Sequence, residues 1–201
     1  MLVDRGGLLV PERDNHCWKA IRFEQQNISH ILDFVPSRKV AVQAGGNFGL
    51  FPKILSKHFE TVYTFEPHPE NFQALVINTE GLDNIIKFQA GVGSPRLFSL
   101  TEPDPNNFGA FQANGVGHIP CLALDSLPIK ECNLLWLDIE GGEYDAIWNA
   151  RDLISRNHPT IVLEYREHSA AFGHSDKQLH EMVLGLGYHH VATFGADKVY
   201  R

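Results

Sequence analysis

The chain has 201 residues, the size of one domain of about 150 residues with a modest extension. A hydrophobic fraction of 43% supports a packed core and excludes a disordered chain. Seventeen Lys and Arg against 24 Asp and Glu give a formal charge of −7, which opposes a broad basic face that grips nucleic acid.

Residues 1–15 read as irregular, with Gly6, Gly7 and Pro11 among them. From His16 to Val35, the residues Trp18, Ile21, Ile28, Ile31, Leu32 and Val35 recur at helical spacing. Residues 1–36 are therefore expected to form a helical extension packed on a domain spanning residues 37–201. Lys39–Gln43 is a short apolar strand that runs into a glycine turn, Gly45-Gly46-Asn47-Phe48-Gly49. Leu50, Ile54, Leu55 and His58 follow helical spacing, and Pro52 is tolerated in a first turn. Thr61–Phe65 is a β-branched and aromatic strand ending at Glu66. Phe72, Leu75 and Val76 mark the next helix, and Ile85–Ala90 a third strand.

Residues 93–118 are the least regular, and Arg96–Leu100 with Ala110–Gln112 suggest an inserted hairpin. Ile119–Leu124 reads as another strand. Asn133–Asp138 is a nearly continuous apolar run, as expected of a strand buried on both faces. Glu143–Ile154 reads as helix, Thr160–Tyr165 as strand, and Leu179, Met182, Val183 and Leu186 as one helix face. His189–Phe194 and Lys198–Tyr200 are the last strands. Alternating strands and helices predict an α/β fold: one mostly parallel sheet, helices on both faces and a short inserted hairpin.

Cys17, Cys121 and Cys132 are odd in number and show no C-x-x-C spacing. They read as reduced thiols in or near the core, not as disulfides or a zinc site. Asp4 and Arg5 interrupt the N-terminus before an apolar run develops, and no segment approaches the ~18 apolar residues of a membrane span. A soluble, cytoplasmic protein with no membrane span is expected. Trp18, Trp136 and Trp148 read as core or partly buried, and His180, His189 and His190 show no metal-ligand spacing.

Parallel sheets bind ligands at the carboxyl ends of their strands. Glycines in the first such turn let a backbone approach a ligand, and the following helix start favours an anionic group. The pattern here is G-x-N-x-G, which departs from the G-x-G-x-x-G of dinucleotide sites. Glu66 stands 17 residues after Gly49, where a carboxylate can accept hydrogen bonds from both hydroxyls of a ribose. Asp138, Glu140 and Glu143 cluster after the later strand. Such carboxylates repel one another, which raises a pKa toward the range of a base. Acids at a helix start also serve to cap it.

Three segments resemble one family. Val42-Gln43-Ala44-Gly45-Gly46-Asn47-Phe48-Gly49 is similar to V-D-x-G-A-N-x-G. Tyr63–Phe72 is similar to F-E-P-x-P-x-N-F, and Leu137–Glu143 carries D-x-E-G-x-E. Together they resemble the class I S-adenosylmethionine-dependent methyltransferases of the FkbM type, over Val40 to Tyr165. The resemblance implies a Rossmann-like domain with S-adenosylmethionine as cofactor. Gly45, Asn47 and Gly49 would line its methionine and ribose, Glu66 would hold the ribose hydroxyls, and Pro67 and His68 would flank it. Ala90, Val92 and Gly93 would approach the adenine, and Gly46, Phe48 and Asp138 complete the expected cofactor set. Gln43 departs from the family, which has an acid there that supports the methionine; an amide accepts a hydrogen bond but brings no charge.

The expected reaction is methyl transfer to a hydroxyl of a sugar, glycan or secondary-metabolite-like acceptor. Asp138 or Glu140 would serve as base, with Glu143 and His168 as further candidates. Asp138 and Glu164 should end neighbouring strands and could hold Mg²⁺, although two carboxylates are too few to require a metal. Phe108, Phe111, Asn106, Asn107 and Asn114 could present an aromatic and amide platform to the acceptor. Two alternatives compete: a cofactor-binding or interaction protein weakened by Gln43, and an NAD(P)-dependent oxidoreductase. The second lacks both the glycine spacing and a Tyr-x-x-x-Lys pair.

Overall fold

The computed structural model describes residues 1–102, 104–166 and 173–201. In chain order the elements are β1 (Leu2–Asp4), β2 (Leu9–Pro11), α1 (Cys17–Glu24), α2 (Ile28–Leu32), β3 (Val40–Ala44), α3 (Leu50–Leu55), β4 (Thr61–Phe65), α4 (Pro69–Asn78), β5 (Ile85–Phe88), β6 (Gly91–Val92), β7 (Arg96–Thr101), β8 (Gln112–Leu122), β9 (Leu134–Leu137), α5 (Glu143–Trp148), α6 (Arg151–Asn157), β10 (Thr160–Glu164), α7 (Asp176–Gly185), β11 (His190–Phe194) and β12 (Asp197–Tyr200).

Seven strands form the central sheet in the order β11-β12-β10-β9-β3-β4-β5. The five from β10 to β5 are mutually parallel, and β12 runs antiparallel between β10 and β11. The expected mostly parallel sheet is therefore present. Its central strands are buried on both faces, and alternate residues serve opposite cores. Leu135, Leu137, Ile161 and Leu163 pack with Ile147, Leu153, Leu179 and Val183 on one side. Leu134, Trp136 and Val162 pack with Ile28, Ile31, Leu32 and Leu55 on the other. Trp136 is buried, whereas Trp148 is 48% exposed and lies beneath the Arg151 guanidinium, 3.6 Å from the ring centroid. All three cysteines are free and buried.

Several local expectations are corrected. Residues 1–15 are not irregular: β1 and β2 pair antiparallel, with Leu2 opposite Pro11. The inserted hairpin pairs β7 with β8, with Pro105 in the loop between them, and joins β6 in a separate three-stranded sheet. The two short strands expected at 110–112 and 119–124 are one strand, β8, which shifts register at Phe98 and Ser99 of β7. Gly117 sits at that shift; a Cβ there would lie 2.2 Å from the Phe98 carbonyl oxygen. The single helix expected over 143–154 is two. The Asp125 carboxylate accepts the Asp152 and Leu153 N–H groups at 3.1 and 2.8 Å, which starts α6 as a separate helix.

Candidate active site

The turn after β3 is held by the neighbouring strand. Gly45 and Gly46 both donate N–H to the Phe65 carbonyl, at 3.0 and 2.9 Å. Gly45 has φ +87°, and a Cβ on it would sit 1.9 Å from the Asp138 backbone oxygen. Close packing of the β3 and β9 ends therefore demands glycine here. Asn47 takes φ +47°, a region that Asn tolerates. Its Oδ1 accepts the Phe48 N–H at 2.8 Å and its Nδ2 donates to Cys17 Sγ at 3.0 Å.

Gln43 is buried in the floor. Its Nε2 donates to the Gly45 carbonyl at 2.8 Å, and its Oε1 accepts from the Thr64 hydroxyl at 2.7 Å. The amide is thus engaged within the protein at both atoms.

Glu66 ends β4 and is 5% exposed. Its Oε2 accepts the Asn47 N–H at 2.7 Å and its Oε1 the His68 N–H at 2.8 Å. Burial pushes its pKa up to about 7, against these N–H groups, which favour the charge. His68 caps α4 by accepting the Asn71 N–H and stacks on Phe111 with centroids 3.8 Å apart.

One cleft runs along these strand ends. Gln43, Gly45, Gly46, Asn47, Glu66, Pro67, Ala90, Val92, Asp138 and Glu140 line it, as do Asn107, Phe108 and Phe111 of the insert. Phe48, Gly49, His68, Gly93 and Glu143 lie behind or beside the lining. Phe48 is fully buried; Gly49 is the left-handed N-cap of α3; Gly93 backs onto Asp145, whose Oδ2 would be 2.5 Å from a Cβ there. Asn106 and Asn114 stand outside the cleft, and Phe108 is 1% exposed, so it supports the wall rather than forming an open platform. His168 lies outside the described residues.

The other end of the cleft is acidic. Asp138 and Glu140 converge, though not through an extended chain: Glu140 takes φ +55° in the turn before α5. Glu143 shapes that turn, its buried Oε1 accepting the Ile139 and Gly141 N–H groups at 2.8 and 3.4 Å. Burial pushes the Glu143 pKa up to about 7, and burial with the nearby Asp138 charge pushes Glu140 up to about 8. Parallel pairing of β9 and β10 brings Glu164 alongside, as the strand order required. Asp138, Glu140 and Glu164 each offer a carboxylate oxygen within 4.8 Å of the others. Burial, and then Asp138, which also hydrogen-bonds it, raise Glu164 far above the carboxylate range. Asp197, opposite Glu164 in the ladder, is pushed up to about 7 by burial and Asp138.

Two residues of this end were not among the expected ones. Arg166 donates from Nε to Glu164 and from Nη2 to Glu24 Oε1 at 2.8 Å. Glu24 belongs to α1, whose Cys17, Ala20, Ile21 and Glu24 line the cleft as one helix face. Their spacing of three, four and seven is legible in the sequence. Arg166 stands two residues after Glu164, on the same side of an extended chain.

The FkbM methyltransferase domain matches residues 43–189. This chain belongs to the FkbM methyltransferase family. An FkbM methyltransferase from Methylobacillus flagellatus KT superposes with a TM-score of 0.49 at 21% identity, covering 82% of this chain and 43% of that one. The FkbM-type chain thus spans less than half of that protein's length. A precorrin 8W decarboxylase from Methanobacterium thermoautotrophicum gives 0.54 at 15% identity, covering 99% and 94%. The N-methyltransferase NodS from Bradyrhizobium japonicum WM9, in complex with S-adenosyl-L-homocysteine, gives 0.53 at 13% identity, covering 94% and 89%. No curated protein matches the FkbM-type chain in sequence. The two likenesses with TM-scores above 0.5 show a Rossmann-like fold, and S-adenosylmethionine is the cofactor that the family match implies.

The residues present fit that cofactor. Glu66 accepts two backbone N–H groups and a side-chain hydrogen bond from Asn71, which leaves its carboxylate with acceptor capacity for a ligand hydroxyl. The Ala90 and Val92 wall offers apolar contact for a base. Among the described residues, no helix is long and apolar enough to cross a membrane.

Proposed function

We propose that this FkbM-type chain transfers a methyl group from S-adenosylmethionine to a hydroxyl of a small, uncharged acceptor such as a sugar, a glycan unit or a secondary metabolite. The observation that carries this reading is the convergence of the Asp138, Glu140 and Glu164 carboxylates within 4.8 Å of one another, in the same cleft as Glu66. In this reading residues 37–201 form the catalytic domain, residues 1–36 extend it, and the protein works in the cytoplasm.

When bound, the cofactor supplies an electrophilic methyl on a sulfonium. Glu66 would hold the ribose hydroxyls, and the turn from Gly45 to Asn47 would fix the donor's direction. Alignment of donor and acceptor accounts for much of the rate. Asp138 would receive the proton from the acceptor hydroxyl as the new C–O bond forms, a contribution of about 10²–10⁴-fold. Glu164, hydrogen-bonded to Asp138 and held by Arg166, would position Asp138 for that transfer. Glu143 would act through the turn it holds. The family match favours methyl transfer over hydride transfer from NAD(P)H.

The test is transfer of labelled methyl from S-adenosylmethionine to a panel of neutral polyols and phenols. Asp138→Asn should lower the rate at least 100-fold while S-adenosylhomocysteine still binds within about threefold of wild type. If the cofactor binds but no hydroxyl acceptor in the panel is methylated, the catalytic reading fails and a binding role replaces it.

A further inference from the structure

The family match begins at residue 43, yet one wall of the cleft comes from before it. Cys17, Ala20, Ile21 and Glu24 present one face of α1 to the cleft. The helix is fixed there at both ends. The Asp14 carboxylate accepts the Cys17 and Trp18 N–H groups at 3.1 and 2.9 Å, and also the Phe108 N–H at 3.2 Å. At the far end, Glu24 is tied to Arg166.

The charge around that far end is unbalanced. Glu24, Asp138, Glu140 and Glu164 line the cleft together with Arg166. Asp197 stands behind them. Among the described residues, the other lining cation is Arg96, which is bound to Asp145 at 3.1 Å. Arg166 is already bonded to Glu24 and Glu164, so it offers little to an anionic ligand. Even with Glu164 holding a proton, the carboxylates of Glu24, Asp138 and Glu140 outnumber the Arg166 guanidinium.

We infer that Glu24 is a specificity-determining residue: it and the carboxylates facing it make this end of the cleft select ligands that carry a positive charge at the reacting centre, so that the sulfonium donor is held more tightly than the neutral thioether product. The inference rests on the proposed methyl transfer. Its physical reason is that a cation among partly buried carboxylates gains more than it would in water, because the local dielectric is low. Product release follows from the same cause, since methyl transfer removes the charge.

The test is calorimetry, in EDTA, of two probes that differ at that centre. Sinefungin carries an amine-bearing carbon in place of the sulfonium, and S-adenosylhomocysteine carries a neutral sulfur. Wild type should prefer sinefungin by at least tenfold at pH 8. Glu24→Gln should reduce the preference at least threefold, and Glu24→Asp should restore most of it. A measurement without any variant supports or sinks the same point. Glu24, Asp138, Glu140, Glu143, Glu164 and Asp197 gather here against Arg166; of these Asp197 and Glu143, pushed up to about 7, and Glu140, pushed up to about 8, ionise in the window, so the preference should grow from pH 6 to pH 8.5. Equal affinity for both probes at every pH overturns the inference. Displacement of sinefungin by millimolar Mg²⁺ also overturns it, reassigning the carboxylates to a metal ion. Failure of both probes to bind a folded sample defeats the proposed function itself.

Discussion

Glu66→Gln separates the electrostatic account of the ribose end from a merely steric one. The wild-type carboxyl is buried, accepts two backbone N–H groups at 2.7 and 2.8 Å, and has its pKa raised from 4.5 to about 7. The folded protein therefore holds this proton up to about pH 7, while the unfolded chain releases it near 4.5. Between those values the unfolded state binds fewer protons, so stability falls as pH rises and levels off above 7. The full loss is about 3 kcal/mol. Gln cannot titrate and escapes that loss. Its NH₂ does face one of the two N–H groups, a mismatch of about 1–3 kcal/mol, but the protonated wild-type carboxyl has the same mismatch at low pH. The difference in unfolding free energy, variant minus wild type, should thus rise by about 2–3 kcal/mol between pH 5 and pH 8. The assay is urea denaturation of both proteins at each pH, with equal m-values as the check on two-state behaviour. A difference that does not change with pH would refute the reasoning. In the same samples at pH 8, affinity for S-adenosylhomocysteine should drop about 10–100-fold, the loss expected of one charged hydrogen bond.

Gly45→Ala forces a Cβ to 1.9 Å from the Asp138 carbonyl oxygen, a backbone atom that cannot swing aside; thermal melting should show destabilisation beyond about 4 kcal/mol. Gln43→Glu restores the family's acid type but sets a carboxylate oxygen against the Gly45 carbonyl. It should cost about 1–3 kcal/mol and bring no gain in S-adenosylhomocysteine affinity; a tighter complex would show that Gln43 faces the ligand after all. Glu143→Ala leaves the Ile139 and Gly141 N–H groups without their acceptor. Denaturation should report a loss of about 1–3 kcal/mol, and amide exchange should quicken across residues 138–142.

The central sheet was legible because its strands obey simple rules. Leu134–Leu137 is apolar at every position since both faces are covered, and the turns that follow such strands carry the chemistry. The β1–β2 hairpin was not legible. Each strand has three residues, and part of what anchors it is distant: Asn78 accepts the Leu9 N–H at 2.9 Å and donates to the Leu9 carbonyl at 2.7 Å. Strand β8 was hidden by Gly115, Gly117 and Pro120 within it, and by a register shift that only pairing with β7 reveals. At the site, the motifs singled out Glu66, Asp138 and Glu140, which the fold brings to one cleft. They could not show that Glu143 is spent on its own turn, or that the glycines at 45 and 46 answer to packing against Asp138, Leu75 and Thr64. The Glu24–Arg166 pair joins residues 142 apart, and no local pattern encodes such a contact.

The most direct test of the account is calorimetric binding of S-adenosylhomocysteine to wild type and to Glu66→Ala, with NADH as the comparison. The account predicts micromolar binding of S-adenosylhomocysteine, its loss in a folded Glu66→Ala sample, and no binding of NADH. Binding that survives Glu66→Ala undiminished, or no binding to wild type at all, would contradict it.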